Sequence, residues 1–244
     1  MLQLRYDTKA DPKIMDQGCD SRKHSSGGLT CLGGAPWIKV CGVRRVEDVE
    51  ACYQAGVDAV GINCYVKSPR YISEEQLNAL ARVWPMSLTA VGLFVDPSPK
   101  QVFDLIEAHP WIGFLQFHGL TQPPSERPPR PWILASGAHP ESGFGTVRLL
   151  LDRCIAAACS PVAVILDGHL PGMHGGTGQR APWHAINPTE WPIPVVLAGG
   201  LKPDNVAEAM RVVRPWGLDL ASGVEVSPGV KDADAINQLV RAVR

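Results

Sequence analysis

The chain has 244 residues, with 23 Lys plus Arg against 24 Asp plus Glu and a formal net charge of −1. That balance argues against a polyanion such as nucleic acid as partner, because such binders carry a basic excess. Hydrophobic residues at 45% and charged residues at 19% exclude global disorder, and with no apolar run near 18 residues no membrane span is expected.

Residues 1–36 carry scattered charges, then Ser25-Ser26-Gly27-Gly28 and Gly33-Gly34, with no apolar period. They read as a poorly ordered extension, and they lack the apolar core of a signal peptide, so a cytoplasmic protein is expected. The domain proper is placed at 37–244. Eight Val- and Ile-rich runs follow: Trp37–Val43, Ala59–Cys64, Leu88–Val95, Gly113–His118, Trp132–Gly137, Val162–Asp167, Pro194–Gly199 and Gly217–Ser222. Nearly continuous apolar strands suit a parallel sheet buried on both faces.

Helical patterns separate most of them. Val46–Gly56 has an apolar face and a glycine stop. Ser73 with Gln76 three residues later forms a capping box. Ser98–His109, Phe144–Ala158, Pro203–Val213 and Asp232–Val243 complete the set. Two connections break the rhythm. Residues 119–131 hold Pro123, Pro124, Pro128, Pro129 and Pro131, which removes the helix expected after the fourth strand or shortens it. Residues 168–183 form a long Gly-rich loop. The sum is a single-domain α/β fold, a (β/α)₈ TIM barrel, with an open doubly wound sheet as the alternative.

In such a barrel, chemistry sits at the C-terminal strand ends. Those positions hold Cys41, Asn63, Asp96, His118, Ser136, Asp167, Gly199-Gly200 and Ser222-Gly223. The glycine clusters, with Gly175-Gly176-Thr177-Gly178 before them, suit a phosphate cradle of backbone N–H groups. Cys41 and Asp167 end the first and sixth strands, and a thiol and a carboxyl across a barrel mouth can divide base and acid roles. Each also has a purely structural reading, Cys41 above all, because free cysteines pack as small hydrophobes. The seven cysteines are odd in number and contain no CxxC, so neither a disulfide framework nor a zinc knuckle is expected. His169 and His174 lack an acidic partner at ligand spacing, and no metal site is expected.

An ordered series of motifs adds a resemblance. Ile38-Lys39-Val40-Cys41-Gly42-Val43, Ala55-Gly56-Val57-Asp58-Ala59-Val60-Gly61, Lys67-Ser68-Pro69-Arg70-Tyr71 and Leu115-Gln116-Phe117-His118-Gly119 come first. Ile165-Leu166-Asp167, Gly175-Gly176-Thr177-Gly178, Leu197-Ala198-Gly199-Gly200-Leu201 and Ser222-Gly223-Val224-Glu225 follow. From Ile38 onward the chain resembles the phosphoribosylanthranilate isomerases.

That resemblance implies an Amadori rearrangement of an N-phosphoribosyl anthranilate, without metal or organic cofactor. It implies Cys41 as general base and Asp167 as general acid. Arg70 would hold the anthranilate carboxylate, and Gly176, Gly199, Gly200, Ser222 and Gly223 the phosphate. His118 and Asp219 would line the pocket. The expected partner is a small phosphosugar, and monomer and homodimer are both compatible with the sequence.

The chain departs from the family in three places. Its second strand reads Gly61-Ile62-Asn63-Cys64-Tyr65, where relatives commonly carry Gly-Phe-x-Phe. Leu120 replaces an acidic residue after His118-Gly119, and Ala221-Ser222-Gly223 replaces Ser-Ser-Gly. Two rivals remain. One is the sister histidine-pathway isomerase, whose twofold pattern of glycine clusters and paired aspartates is missing here. The other is a non-catalytic phosphosugar-binding barrel.

Overall fold

The computed structural model describes residues 34–138, 143–168, 183 and 186–244. The expected extension therefore lies almost wholly outside the described residues, as do Gly176 and its neighbouring glycines. Among the described residues, eight parallel strands close into a barrel in chain order: β1 (Trp37–Cys41), β2 (Ala59–Asn63), β3 (Thr89–Val95), β4 (Phe114–His118), β5 (Trp132–Gly137), β6 (Ala163–Asp167), β7 (Val195–Ala198) and β8 (Gly217–Leu220). The ring closes where β1 pairs with β8, Ile38 opposite Leu218 and Lys39 opposite Asp219. The open sheet is excluded.

Alternate residues point inward. Trp37, Ala59, Val91, Ile133, Ala163, Ile165 and Val196 form one apolar cluster inside the barrel. A larger cluster lies between the strands and the helices: α1 (Val46–Gln54), α2 (Glu74–Ala81), α3 (Pro99–Ala108), α4 (Gly145–Ala156), α5 (Val206–Val213) and α6 (Ala233–Val243). Ser73 and Ser98 both make complete capping boxes, with Gln76 and Gln101, so the starts of α2 and α3 are fixed by their own side chains.

No helix occupies 119–131. Five prolines in thirteen residues cannot supply the donors of a helical ladder. In its place the segment leans on the barrel wall, with an apolar cleft lined by Val102, Phe103, Phe117, Leu120, Pro124 and Pro128. A hairpin unforeseen in the sequence follows β8: a 3₁₀ turn (Ser222–Val224), then β9 (Glu225–Ser227) and β10 (Val230–Lys231). Gly229, at φ +79°, makes its turn. No helix among the described residues is long and apolar enough to cross a membrane.

Candidate active site

Stepping by two from the inward cluster, β1 sends Lys39 and then Cys41 into the barrel, and the same alternation brings His118 on β4 and Asp167 on β6 to its C-terminal mouth. Lys39 is fully buried, and its Nζ lies 2.7 Å from Asp219 Oδ1. Space for this pair comes from β2. A Cβ on Gly61 would stand 2.8 Å from Cys41 Sγ and 3.2 Å from Lys39 Cε, so glycine there lets both side chains fit.

The ammonium keeps its charge. Burial alone would lower the Lys39 pKa, but Asp219 and the Cys41 sulfur outweigh it and hold the ammonium above its ordinary value. Burial pushes the Cys41 thiol up. Lys39 and Lys231 pull it down, Asp219 adds to the rise, and the net position lies above the usual thiol range. The site thus contains a thiol with an ammonium beside it as the main force favouring its ionised form.

Arg70 reaches the mouth from the loop after β2, and that loop explains Asn63. The Asn63 amide donates to Ser68 Oγ at 3.1 Å, and its Oδ1 accepts from Tyr65 N at 2.9 Å. Ser68 Oγ in turn accepts from Arg70 N at 3.1 Å. The Asn63 amide is therefore used to brace the loop that carries Arg70. The arginine stem crosses Gly42, where a Cβ would lie 2.5 Å from Arg70 Cδ. Its guanidinium is paired bidentately with Glu225, Nε to Oε1 at 2.8 Å and Nη2 to Oε2 at 2.6 Å.

His118 accepts from Gln116 Nε2 at 2.7 Å, which fits a neutral ring. Burial first, then the Lys39 charge, takes its pKa down to about 4. Asp167 is half-buried at the end of β6, with its carbonyl accepting from Ala138 N at 3.0 Å. The loop that follows it lies outside the described residues.

The late glycines converge. Gly199 and Gly200 have φ of +93° and +65°, and Gly200 has nothing within 4 Å of where a Cβ would be. Gly223 is the reverse: a Cβ there would fall 1.8 Å from the Leu201 carbonyl oxygen, so the turn after β8 packs backbone to backbone on the loop after β7. Asn205 ties that loop, donating to Gly200 O and accepting from Lys202 N. Ser222 is exposed at the start of the 3₁₀ turn. Of the residues expected from sequence, Cys41, Asp167, His118 and Asp219 share the barrel interior, and Arg70, Gly199, Gly200, Ser222 and Gly223 belong to the strand-end loops. Gly176 lies outside the described residues.

Residues 38–242 match the family model described as N-(5'phosphoribosyl)anthranilate (PRA) isomerase. The chain belongs to the phosphoribosylanthranilate isomerase family. It is 42% identical over 204 residues to the N-(5'-phosphoribosyl)anthranilate isomerase of Thiobacillus denitrificans, covering 83% of this chain and 95% of that one. Among solved structures it is similar to monomers generated from the dimeric phosphoribosylanthranilate isomerase of Thermotoga maritima, with TM-score 0.69 and 29% identity over 85% of this chain and 98% of that one. A second structure was solved in complex with reduced 1-(o-carboxyphenylamino)-1-deoxyribulose 5-phosphate; its TM-score is 0.67 and its identity 28%, over 85% of this chain and 98% of that one.

Three charged residues of this phosphoribosylanthranilate isomerase chain were not singled out by sequence reasoning: Lys39, Glu225 and Lys231. A lysine inside the buried run Trp37–Cys41 was itself a signal, because a buried ammonium demands a partner. The hairpin residues gave no such sign.

Proposed function

We infer that Cys41 and Asp167 are the base and acid of an Amadori rearrangement. The chain is a phosphoribosylanthranilate isomerase of tryptophan biosynthesis, and it converts N-(5'-phosphoribosyl)anthranilate to 1-(2-carboxyphenylamino)-1-deoxyribulose 5-phosphate. The family match across residues 38–242, on a closed barrel with a thiol and a carboxyl at the ends of β1 and β6, carries this reading.

The protonated Asp167 carboxyl gives its proton to the furanose ring oxygen, and the sugar opens to an iminium ion. The Cys41 thiolate then takes the proton from the adjacent C2, leaving an enolamine that tautomerises to the ketose. Electrons return to the nitrogen–carbon unit and no net redox change occurs. Lys39 beside the sulfur favours the thiolate against the burial that opposes it. Arg70 grips the anthranilate carboxylate with the donors that Glu225 leaves free, and the N–H groups around Gly199, Gly200 and Gly223 receive the phosphate. His118, held neutral, and Asp219, held by Lys39, shape the pocket rather than transfer protons.

The test is turnover with substrate generated in situ, followed by loss of the aminofuranose and appearance of the ketose. A barrel that binds the reduced product analogue without turnover would be a non-catalytic phosphosugar binder. Conversion of the histidine-pathway substrate at a comparable rate would make the assignment too narrow.

A further inference from the structure

The hairpin after β8 reaches two separate parts of the site through one buried carboxylate. Glu225 Oε1 accepts from Arg70 Nε at 2.8 Å, from Lys231 Nζ at 2.7 Å and from Gly229 N at 3.1 Å. Glu225 Oε2 accepts from Arg70 Nη2 at 2.6 Å. Lys231 Nζ also donates to the carbonyl of Cys41 at 2.6 Å and to that of Ala221 at 3.4 Å. The side chains of Lys231 and Glu225 are 0% and 3% exposed, and that of Arg70 is 22% exposed, so of the three only the arginine side chain reaches the surface appreciably. Burial pushes the Glu225 carboxyl up, but Arg70 and Lys231 outweigh it, and it sits below the usual carboxylate range.

We propose that Glu225 and Lys231 are positioning residues that clamp the Arg70 fork and the Cys41 peptide into one rigid unit, setting the carboxylate grip at a fixed distance from the thiol. A guanidinium has two edges able to take a carboxylate bidentately: the side edge of Nε and Nη2, and the end edge of Nη1 and Nη2. Glu225 takes the side edge and leaves the end edge for one further carboxylate. Without that clamp, a long arginine has many rotamers, and ordering it on substrate binding would consume part of the contact energy. Gly42 and Gly229, both at positive φ, let the arginine stem and the hairpin N–H come close enough for the arrangement. The proposal rests on the reading of Arg70 as the carboxylate grip, and the experiment below separates the two.

Dissociation constants are measured for reduced 1-(2-carboxyphenylamino)-1-deoxyribulose 5-phosphate and for the same compound lacking the carboxylate. The intact chain is expected to prefer the carboxylated probe by about 10- to 100-fold, the range for a charge-assisted bidentate contact. Arg70→Ala should bring that preference close to one. Glu225→Gln, which keeps size but releases the side edge, should cut the preference about fivefold or more while binding the probe without carboxylate as the intact chain does. If Glu225→Gln does not fold, Glu225→Asp keeps the charge, shortens the reach, and is expected to lower the same ratio. A folded Glu225 variant with the full preference, or one that weakens both probes equally, overturns the clamp. A preference that survives Arg70→Ala overturns the Arg70 reading, and the clamp with it.

Discussion

Lys39 and Asp219 form an ion pair of 2.7 Å on the inside of the barrel, one layer below Cys41. Their partner strands are the first and last of the ring, and the sulfur above them belongs to the residue proposed as the base. The pair has two separable effects. It satisfies two buried charges, and it places a cation next to the thiol.

Lys39→Met should therefore act on pH dependence. Removing the cation removes the strongest force drawing the Cys41 thiol down, so its pKa rises further and the acidic limb of kcat/KM moves to higher pH. The rate of thiol alkylation by iodoacetamide should move with it. The variant leaves Asp219 unpaired, and unfolding should become easier by about 3–5 kcal/mol. Lys39→Met with Asp219→Leu should recover most of that stability. Its acidic limb should still lie above that of the intact chain, although by less than in the single variant, since Asp219 opposes thiol ionisation. An unshifted limb in both variants would mean that Lys39 does not act on the thiol.

With Asp167 as the proposed acid and Cys41 as the proposed base, Asp167→Asn cannot donate the proton that opens the ring, and Cys41→Ala cannot remove the C2 proton. Each should lower kcat by ~10²–10⁴-fold while the reduced product analogue binds nearly as before. Cys41→Ser preserves size but is a far weaker base, and it should fail nearly as badly. A serine variant retaining more than about a tenth of the turnover would be outside the range for loss of a general base and would remove the thiolate from that role.

The barrel itself was readable because strands covered on both faces must be apolar throughout, and eight such runs at steady intervals admit few alternatives. The capped starts at Ser73 and Ser98, and the loss of a helix across the five prolines, follow from local chemistry that needs no tertiary contact. The clamp was invisible for the opposite reason. Arg70 and Glu225 are 155 residues apart, and Lys231 and Cys41 are 190 apart, so no spacing rule joins them. Asn63 was legible as a departure but not as a brace, since its role depends on the path that brings Ser68 back to it. The glycines marked where a backbone could approach a ligand, yet their sequence could not tell an open position such as Gly200 from a packed one such as Gly223.

That difference separates two substitutions that look alike on paper. Gly223→Ala must displace backbone, because its Cβ would fall 1.8 Å from Leu201 O. It should weaken binding of phosphorylated product about tenfold or more, the loss of one hydrogen bond to a charged group. Gly200→Ala meets no neighbour and carries only the strain of its left-handed backbone, about 1–2 kcal/mol. Its effect should appear in stability more than in affinity. Calorimetric titration of both variants with product decides the matter, and equal affinities would move the phosphate away from the loops after β7 and β8.

His118 gives a prediction in stability against pH. Its pKa lies at about 4 in the folded chain against an ordinary value of 6.5. Between those values the unfolded chain binds the proton and the folded chain does not, so stability is full above pH 6.5 and falls as the pH drops toward 4. His118→Asn should flatten this part of the profile in denaturant titrations at stepped pH. A profile identical to that of the intact chain would place the responsible group elsewhere.

The ring has one joint unlike the others. Seven strand pairings join neighbours in sequence, whereas β8 must find β1 across nearly the whole domain. Bringing together ends some 180 residues apart carries a loop-closure cost of about 5 kcal/mol before any contact forms. Ionic contacts gather at this joint: Lys39 with Asp219, Arg70 with Glu225, and Arg244 with Asp58, whose carboxylate also accepts from Ile38 N at 2.8 Å. Charge thus fastens the hoop at the one gap where strands far apart in sequence meet. The thiol, its neighbouring ammonium and the arginine fork all stand at that gap, so loosening this single joint would disturb all three at once.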